Sequence, residues 1–159
     1  MSSQIKTIYG DLLTERPNSV IIHGCNCQGV MGSGVALAVK NKYPVVYDEY
    51  VSLCNAYQPT HLLGSIQIES ITEDEYPNFL INGFTQLDFG AGRQVNYDAI
   101  YEVFERTNEF MRMSAIDRTL YFPKIGACRG GGNWRIISTI IEETVDQRFN
   151  PTLVEYKPT

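Results

Sequence analysis

Ile22-His23-Gly24-Cys25-Asn26-Cys27-Gln28-Gly29-Val30-Met31-Gly32-Ser33-Gly34-Val35-Ala36 is the stretch that decides the fold. It opens inside a short apolar run, Val20-Ile21-Ile22-His23, bounded by Pro17-Asn18-Ser19 and Gly24, which reads as a buried strand. Residues 35–41 then read as a helix, with Pro44 beyond its end. A glycine-rich loop joins the two. Glycine lets a backbone approach a ligand closely, and the free N–H groups of a following helix start offer an anion the positive end of the helix dipole. Such turns are common, so this stretch alone is a weak signal for a ligand.

A second loop strengthens it. Phe122-Pro123-Lys124-Ile125-Gly126-Ala127-Cys128-Arg129-Gly130-Gly131-Gly132-Asn133-Trp134 also follows a strand and precedes a helix. Two such loops at strand ends of one sheet converge on one crevice, and a diphosphate held between two helix starts is the simplest ligand of that shape. The usual nucleotide motifs do not account for it. Gly-x-x-x-x-Gly-Lys-Ser/Thr is absent, and Gly32-Ser33-Gly34 lies too far from its strand, and lacks the third glycine, for a dinucleotide fingerprint.

Outward from these loops, strands and helices alternate. Residues 5–9, 65–71, 79–83, 120–122 and 152–156 read as strands, and residues 45–55, 96–113 and 134–145 as helices. Asn96 and Asn133 stand at N-cap positions; Ile100, Val103, Phe104 and Met111 share one helical face, and Ile137, Ile140, Ile141 and Val145 another. The alternation implies a three-layer α/β/α sandwich with a mixed central sheet, read as one domain over residues 1–159.

Composition sets the outer limits. With 159 residues, 43% hydrophobic, the chain suits one domain that buries about two thirds of its unfolded surface. No apolar stretch approaches the roughly 18 residues of a membrane span, and residues 1–6 do not read as a signal peptide, so a cytoplasmic location is expected. A net charge of −5 with scattered Lys and Arg argues against a direct grip on a nucleic-acid backbone. Cys25, Cys27, Cys54 and Cys128 show no disulfide spacing, and with His23 and His61 they show no ligand spacing for zinc, so no metal and no cofactor is expected.

At these residues the chain resembles the macro domain family of ADP-ribose-binding modules. Gly10-Asp11-Leu12, after the first strand, is similar to the family's Gly-Asp-hydrophobic motif. Asn26 stands six residues before Gly32-Ser33-Gly34-Val35-Ala36, similar to the family's Asn-x5-Gly-Gly-Gly-Val-Ala with Ser33 replacing one glycine. Cys25-Asn26-Cys27, Gly32-Ser33-Gly34 and Phe84-Thr85-Gln86 together resemble most the branch that includes the ADP-ribose 1″-phosphate phosphatase.

The resemblance implies roles. Asp11, with Leu12 beside it, would read the adenine amino group, and Tyr156 would pack on the adenine. Asn26 would hold hydroxyls of the distal ribose, with Gly32, Ser33, Gly34 and Val35 along the phosphates. Ile125, Gly126, Ala127, Cys128, Arg129, Gly130 and Gly131 would close over the diphosphate. The branch that hydrolyses terminal ADP-ribose from glutamate uses a Lys and an Asp where this chain has Asn82-Gly83 and Gly130, which argues against chemistry through a lysine adduct.

The leading functional expectation is hydrolysis of a distal-ribose substituent, foremost that of ADP-ribose 1″-phosphate. In that scheme His23 orients or deprotonates a water, Asn26 holds the ribose and Ser33 bears phosphate charge. Two alternatives stand beside it: a non-catalytic reader of ADP-ribose or a related nucleotide, and a hydrolase that removes ADP-ribose from modified macromolecules.

Overall fold

The computed structural model of the chain describes residues 5–90, 92, 94–127 and 130–156. In chain order the elements are β1 (Lys6–Tyr9), β2 (Ser19–Asn26), α1 (Gly34–Lys42), α2 (Pro44–Ala56), α3 (Pro59–Leu62), β3 (Ile66–Ser70), β4 (Phe79–Gln86), α4 (Tyr97–Arg112), β5 (Thr119–Phe122), α5 (Trp134–Thr144) and β6 (Thr152–Glu155). A 3-10 turn, Gln147–Phe149, precedes β6. The strands form one six-stranded sheet in the order β1-β6-β5-β2-β4-β3, with β3 antiparallel to β4 and all other pairs parallel. The expected mixed sheet between helical layers is the observed architecture.

Two cores flank the sheet because the pleat sends alternate residues to opposite faces. Val20 and Ile22 of β2 join the core under α4 and α5, whereas Ile21 and Cys25 join the core under α1 and α2. Burial on both faces explains why β2 reads as an unbroken apolar run.

The helices form for the reasons the sequence offers. Asn96 Oδ1 accepts from Ala99 N at 3.0 Å and caps α4, whose Ile100, Val103, Phe104 and Met111 are buried. Phe104 meets Phe122 edge-on, with ring centroids 6.1 Å apart. Truncating such a buried aromatic to alanine typically costs about 3–5 kcal/mol. Pro44 stands at the first position of α2, where its missing N–H is no loss, and the chain breaks there between α1 and α2.

Two local features depart from expectation. The strand expected to stop at His23 continues to Asn26, because β4 pairs with it from Val20 to Asn26. The helical turns at Pro59–Leu62 and Gln147–Phe149 are each shorter than a readable hydrophobic period. Among the described residues no helix is long and apolar enough to cross a membrane.

Candidate functional site

β2 and β5 part at the carboxyl edge of the sheet. Their ladder stops at Ile21 opposite Tyr121, while β2 runs on beside β4 to Asn26. Residues 27–33 (loop 1) lead from β2 to α1 on one face of the sheet. Residues 123–133 (loop 2) lead from β5 to α5 on the other. Neighbouring parallel strands whose connections leave to opposite faces create the crevice in which open α/β sheets bind ligands.

The two helix starts differ. Ser33 is the N-cap of α1, exposed and extended (φ −160°, ψ 162°), with no side-chain cap bond and no acidic residue in the first turn. The first amide N–H groups of α1 therefore have no capping side chain competing for them, which suits an anion. Gly34 follows at φ +60°, a conformation that glycine takes without strain, so a side chain there disturbs the backbone as well as any ligand.

The start of α5 is already occupied. Asn133 Oδ1 accepts from Arg135 N at 2.9 Å, and Asn133 N donates to Tyr97 Oη at 2.9 Å. The α5 start thus carries the Asn133 cap read from the sequence, whereas the α1 start has no side-chain cap and is open to an anion.

Loop 2 contributes main chain instead. Gly132 N donates to Gly126 O at 2.8 Å, and Gly130 O accepts from Gln94 N (2.7 Å) and Val95 N (3.0 Å). A Cβ on Gly130 would stand 2.7 Å from Gly126 O, so position 130 has no room for an aspartate. A third connection, between β4 and α4, ties in loop 1: Leu87 O accepts from Cys27 N (3.2 Å) and Gln28 Nε2 (3.0 Å). The β2–β4 register slips between Cys25 and Asn26, leaving Thr85 as the extra residue of a bulge.

Asn26 is buried and organises loop 1. Its Oδ1 accepts from Gln28 N (2.9 Å), Val30 N (3.4 Å) and Tyr50 Oη (2.8 Å), while Nδ2 donates to Val30 O (2.8 Å). Ile125, Gly126, Ala127, Gly130 and Gly131 lie in loop 2, with Ile125 and Gly130 buried. Val35 is half-buried in the first turn of α1, and Gly32 is exposed ahead of it. Cys128 and Arg129 lie outside the described residues.

The adenine-end candidates gather at the β1–β6 side. Asp11 follows β1 and is exposed, yet its Oδ1 accepts from Leu13 N at 2.8 Å and braces its own turn. Leu12 points into the core under α1 and α2, so it supports the turn rather than lining a ligand site. Tyr156 is 77% exposed at the end of β6, and Gly10 N donates to Glu155 O at 2.8 Å beside it. From β1 to β2 is three strand spacings, about 14 Å.

His23 does not reach the crevice. It is 1% exposed and faces the core under α1 and α2, with Nε2 2.5 Å from Asn82 Oδ1. Asn82 Nδ2 in turn donates to Gln67 Oε1 (3.0 Å), and Gln67 Nε2 donates to Val46 O (3.3 Å) and Glu69 Oε1 (3.2 Å). The Val46 carbonyl can only accept, which orients both amides and makes His23 Nε2 the protonated nitrogen. Burial lowers the pKa of His23 from 6.5 to about 4, against the opposing effect of the hydrogen bond it donates to Asn82 Oδ1. The expected base is thus a neutral histidine in a polar ladder across β2, β4 and β3, because the odd-numbered residues of β2 face the core under α1 and α2.

Several contributors carry no sequence signal. Tyr50 reads as one more apolar position of α2 and Leu87 as a loop residue, although both hold loop 1 in place. A cavity of about 440 Å³ backs onto loop 1, lined by Cys27, Gln28, Cys54, Tyr57, Gln58 and His61. Among the described residues no three His, Cys, Asp or Glu side chains gather as a metal site.

Known proteins share this chain's plan. No family model matches it. It is 33% identical over 157 residues to an uncharacterized 17.5 kDa protein of the tk–vs intergenic region of Enterobacteria phage T4, covering 97% of each chain. It is 30% identical over 169 residues to an ADP-ribose 1″-phosphate phosphatase of Scheffersomyces stipitis, covering 92% of this chain and 97% of that one. The macrodomain of Thermus aquaticus DarG superposes with a TM-score of 0.77 at 25% identity, covering 97% of this chain and 98% of that one. With relatives of that identity matched along nearly their whole length, and loops 1 and 2 disposed about the β2–β5 crevice, the chain belongs to the macrodomain family.

Proposed function

We propose that the chain binds ADP-ribose across the carboxyl edge of its sheet and removes phosphate from ADP-ribose 1″-phosphate. The observation that carries this reading is the pairing of an uncapped, acid-free α1 start with the main chain of loop 2 across the β2–β5 crevice. The name of the S. stipitis relative supplies the chemical class. In this arrangement adenine lies toward Asp11 and Tyr156, the diphosphate between loop 1 and loop 2, and the distal ribose toward Asn26. Gly32, Ser33, Gly34 and Val35 run along the phosphates, and Ile125, Gly126, Ala127, Gly130 and Gly131 of loop 2 cover them.

The reaction is attack of water on phosphorus with cleavage of the P–O bond to the distal ribose, giving inorganic phosphate and ADP-ribose. Loop 1 contains no Asp, Glu, His, Lys or Arg. Rate acceleration then comes from holding the substrate and stabilising charge through N–H donors, with Ser33 and the α1 amides bearing the phosphate. His23 takes no part.

Its burial favours a second reading, a binding module that recognises ADP-ribose, free or attached to a macromolecule, without turnover. Phosphorus NMR of ADP-ribose 1″-phosphate mixed with the protein separates the two. Inorganic phosphate appearing in proportion to protein supports the phosphatase, and perturbed diphosphate lines without release support the binding module. No perturbation at all refutes both.

A further inference from the structure

We propose that Tyr50 is a positioning residue that holds the Asn26 carboxamide in the orientation loop 1 selects, so that Asn26 meets the distal end of the ligand with an N–H donor. This rests on the reading of the crevice as an ADP-ribose site and adds a specificity element to it.

The orientation follows from counting donors. A carboxamide oxygen accepts about two hydrogen bonds, whereas the nitrogen carries two hydrogens. Asn26 Oδ1 already faces three donors, the N–H groups of Gln28 and Val30 and the hydroxyl of Tyr50. Turning the amide over would set NH₂ against two N–H groups and Oδ1 against the Val30 carbonyl, which now accepts from Nδ2 at 2.8 Å. Nδ2 spends one hydrogen on Val30 O, and the second is the polar group left to Asn26 for a ligand.

Tyr50 supports this with its single hydroxyl hydrogen, which is shared between the side-chain and main-chain oxygens of Asn26. It is fully buried, its ring stacks on Phe84 at 5.9 Å between centroids, and its hydroxyl also lies 2.8 Å from the Asn26 carbonyl oxygen. Burial pushes the phenol pKa far above its ordinary value, so it remains an O–H donor at any pH the fold tolerates. One helical turn on, Cys54 packs against Gly29 of the same loop, its Cβ 3.6 Å from where a Gly29 side chain would begin.

A donor at this place discriminates. It favours a distal ribose bearing an anionic oxygen over one bearing a hydroxyl alone, since hydrogen bonds to ionised acceptors are the stronger ones. Asn26→Asp keeps an acceptor toward Tyr50 but replaces the donor with a carboxylate that repels phosphate.

The test is calorimetric titration of ADP-ribose into wild type, Tyr50→Phe, Asn26→Ala and the double variant. Tyr50→Phe keeps the ring on Phe84, and losing a bond that holds Asn26 should weaken binding about fivefold in wild type. In the Asn26→Ala background the same change should cost less than about twofold, because the group that Tyr50 acts on is gone. Equal losses in both backgrounds, or no loss in wild type, overturn the proposal.

A ligand-free readout separates it from the reading it rests on. Solvent exchange of the Asn26 side-chain amide protons, followed by nitrogen-edited NMR of the wild type, should show one protected proton (toward Val30 O) and one fast proton. Two protons exchanging alike overturn the assignment. If ADP-ribose fails to bind the wild type, the crevice reading falls, while the amide signal and its change in Tyr50→Phe still decide the role of Tyr50.

Discussion

His23 makes acid stability a quantitative test of the polar ladder. Its pKa falls from 6.5 in an open chain to about 4 in the fold, because burial disfavours the imidazolium more than the Asn82 hydrogen bond favours it. The unfolded chain therefore binds one more proton than the folded one between those two values. With a folded pKa below the unfolded one, the stabilisation is fully present above about pH 6.5, declines as pH falls toward 4 and is gone below. At 1.36 kcal/mol for each pH unit between the two values, the loss is about 3 kcal/mol, a large share of the stability of a domain this size. The other groups near the ladder are Cys25, whose sulfur lies 3.8 Å from Nε2 and whose pKa burial raises, and Glu69 beyond Gln67. Carboxylates elsewhere also titrate below pH 5, so the comparison must isolate the histidine. Urea unfolding of wild type and His23→Gln from pH 7.5 to 4 does so, since glutamine retains a donor for Asn82 and cannot titrate. The stability of wild type relative to the variant should drop by about 3 kcal/mol across that range. Parallel curves would refute the buried-ladder account. So would a loss of phosphate release in a folded His23→Gln protein, which would return His23 to the crevice.

Three further outcomes follow from the site. Ser33→Glu should abolish ADP-ribose binding in calorimetry, because a carboxylate then occupies the anion position at the α1 start; the melting transition should hold or rise, as an acid at an N-terminus is worth about 0.3–1 kcal/mol. Gly130→Ala should destabilise by about 1–3 kcal/mol in urea titrations, its Cβ standing 2.7 Å from Gly126 O, with weaker ligand binding because Gly130 O anchors Gln94 and Val95. Asn133→Ala should cost about 1 kcal/mol through the lost α5 cap and leave ADP-ribose affinity within twofold, whereas an unchanged stability would show that the cap bond to Arg135 N does not matter.

Much of the fold was legible in local patterns. The helical stripe through Ile100, Val103, Phe104 and Met111, the caps Asn96 and Asn133, and the apolar run at Val20-Ile21-Ile22 each state an element and its buried face in their own spacing. Glycine clusters after β2 and β5 state where the chain must pass close to something. These features are local because helix period, strand period and cap chemistry are set within a few residues. The family resemblance also lay in contiguous motifs, Gly10-Asp11-Leu12 and the run from Asn26 to Ala36.

What the sequence by itself determined is therefore the order and kind of the elements, the alternation that makes a three-layer sandwich, and the two glycine loops that make a ligand site. What only the tertiary structure decided is which polar groups are available to act there. His23, Asn26 and Cys25 stand on one short stretch of β2, yet His23 is spent on Asn82 and Gln67 from strands β4 and β3, while Asn26 is held by Tyr50 from α2. At the α5 start, Tyr97 from α4 accepts from the Asn133 main-chain N–H, a partner that the local cap sequence does not name. Burial and hydrogen-bond partnership belong to pairs of residues brought together from distant parts of the chain, and no local spacing records which partner reaches a group first.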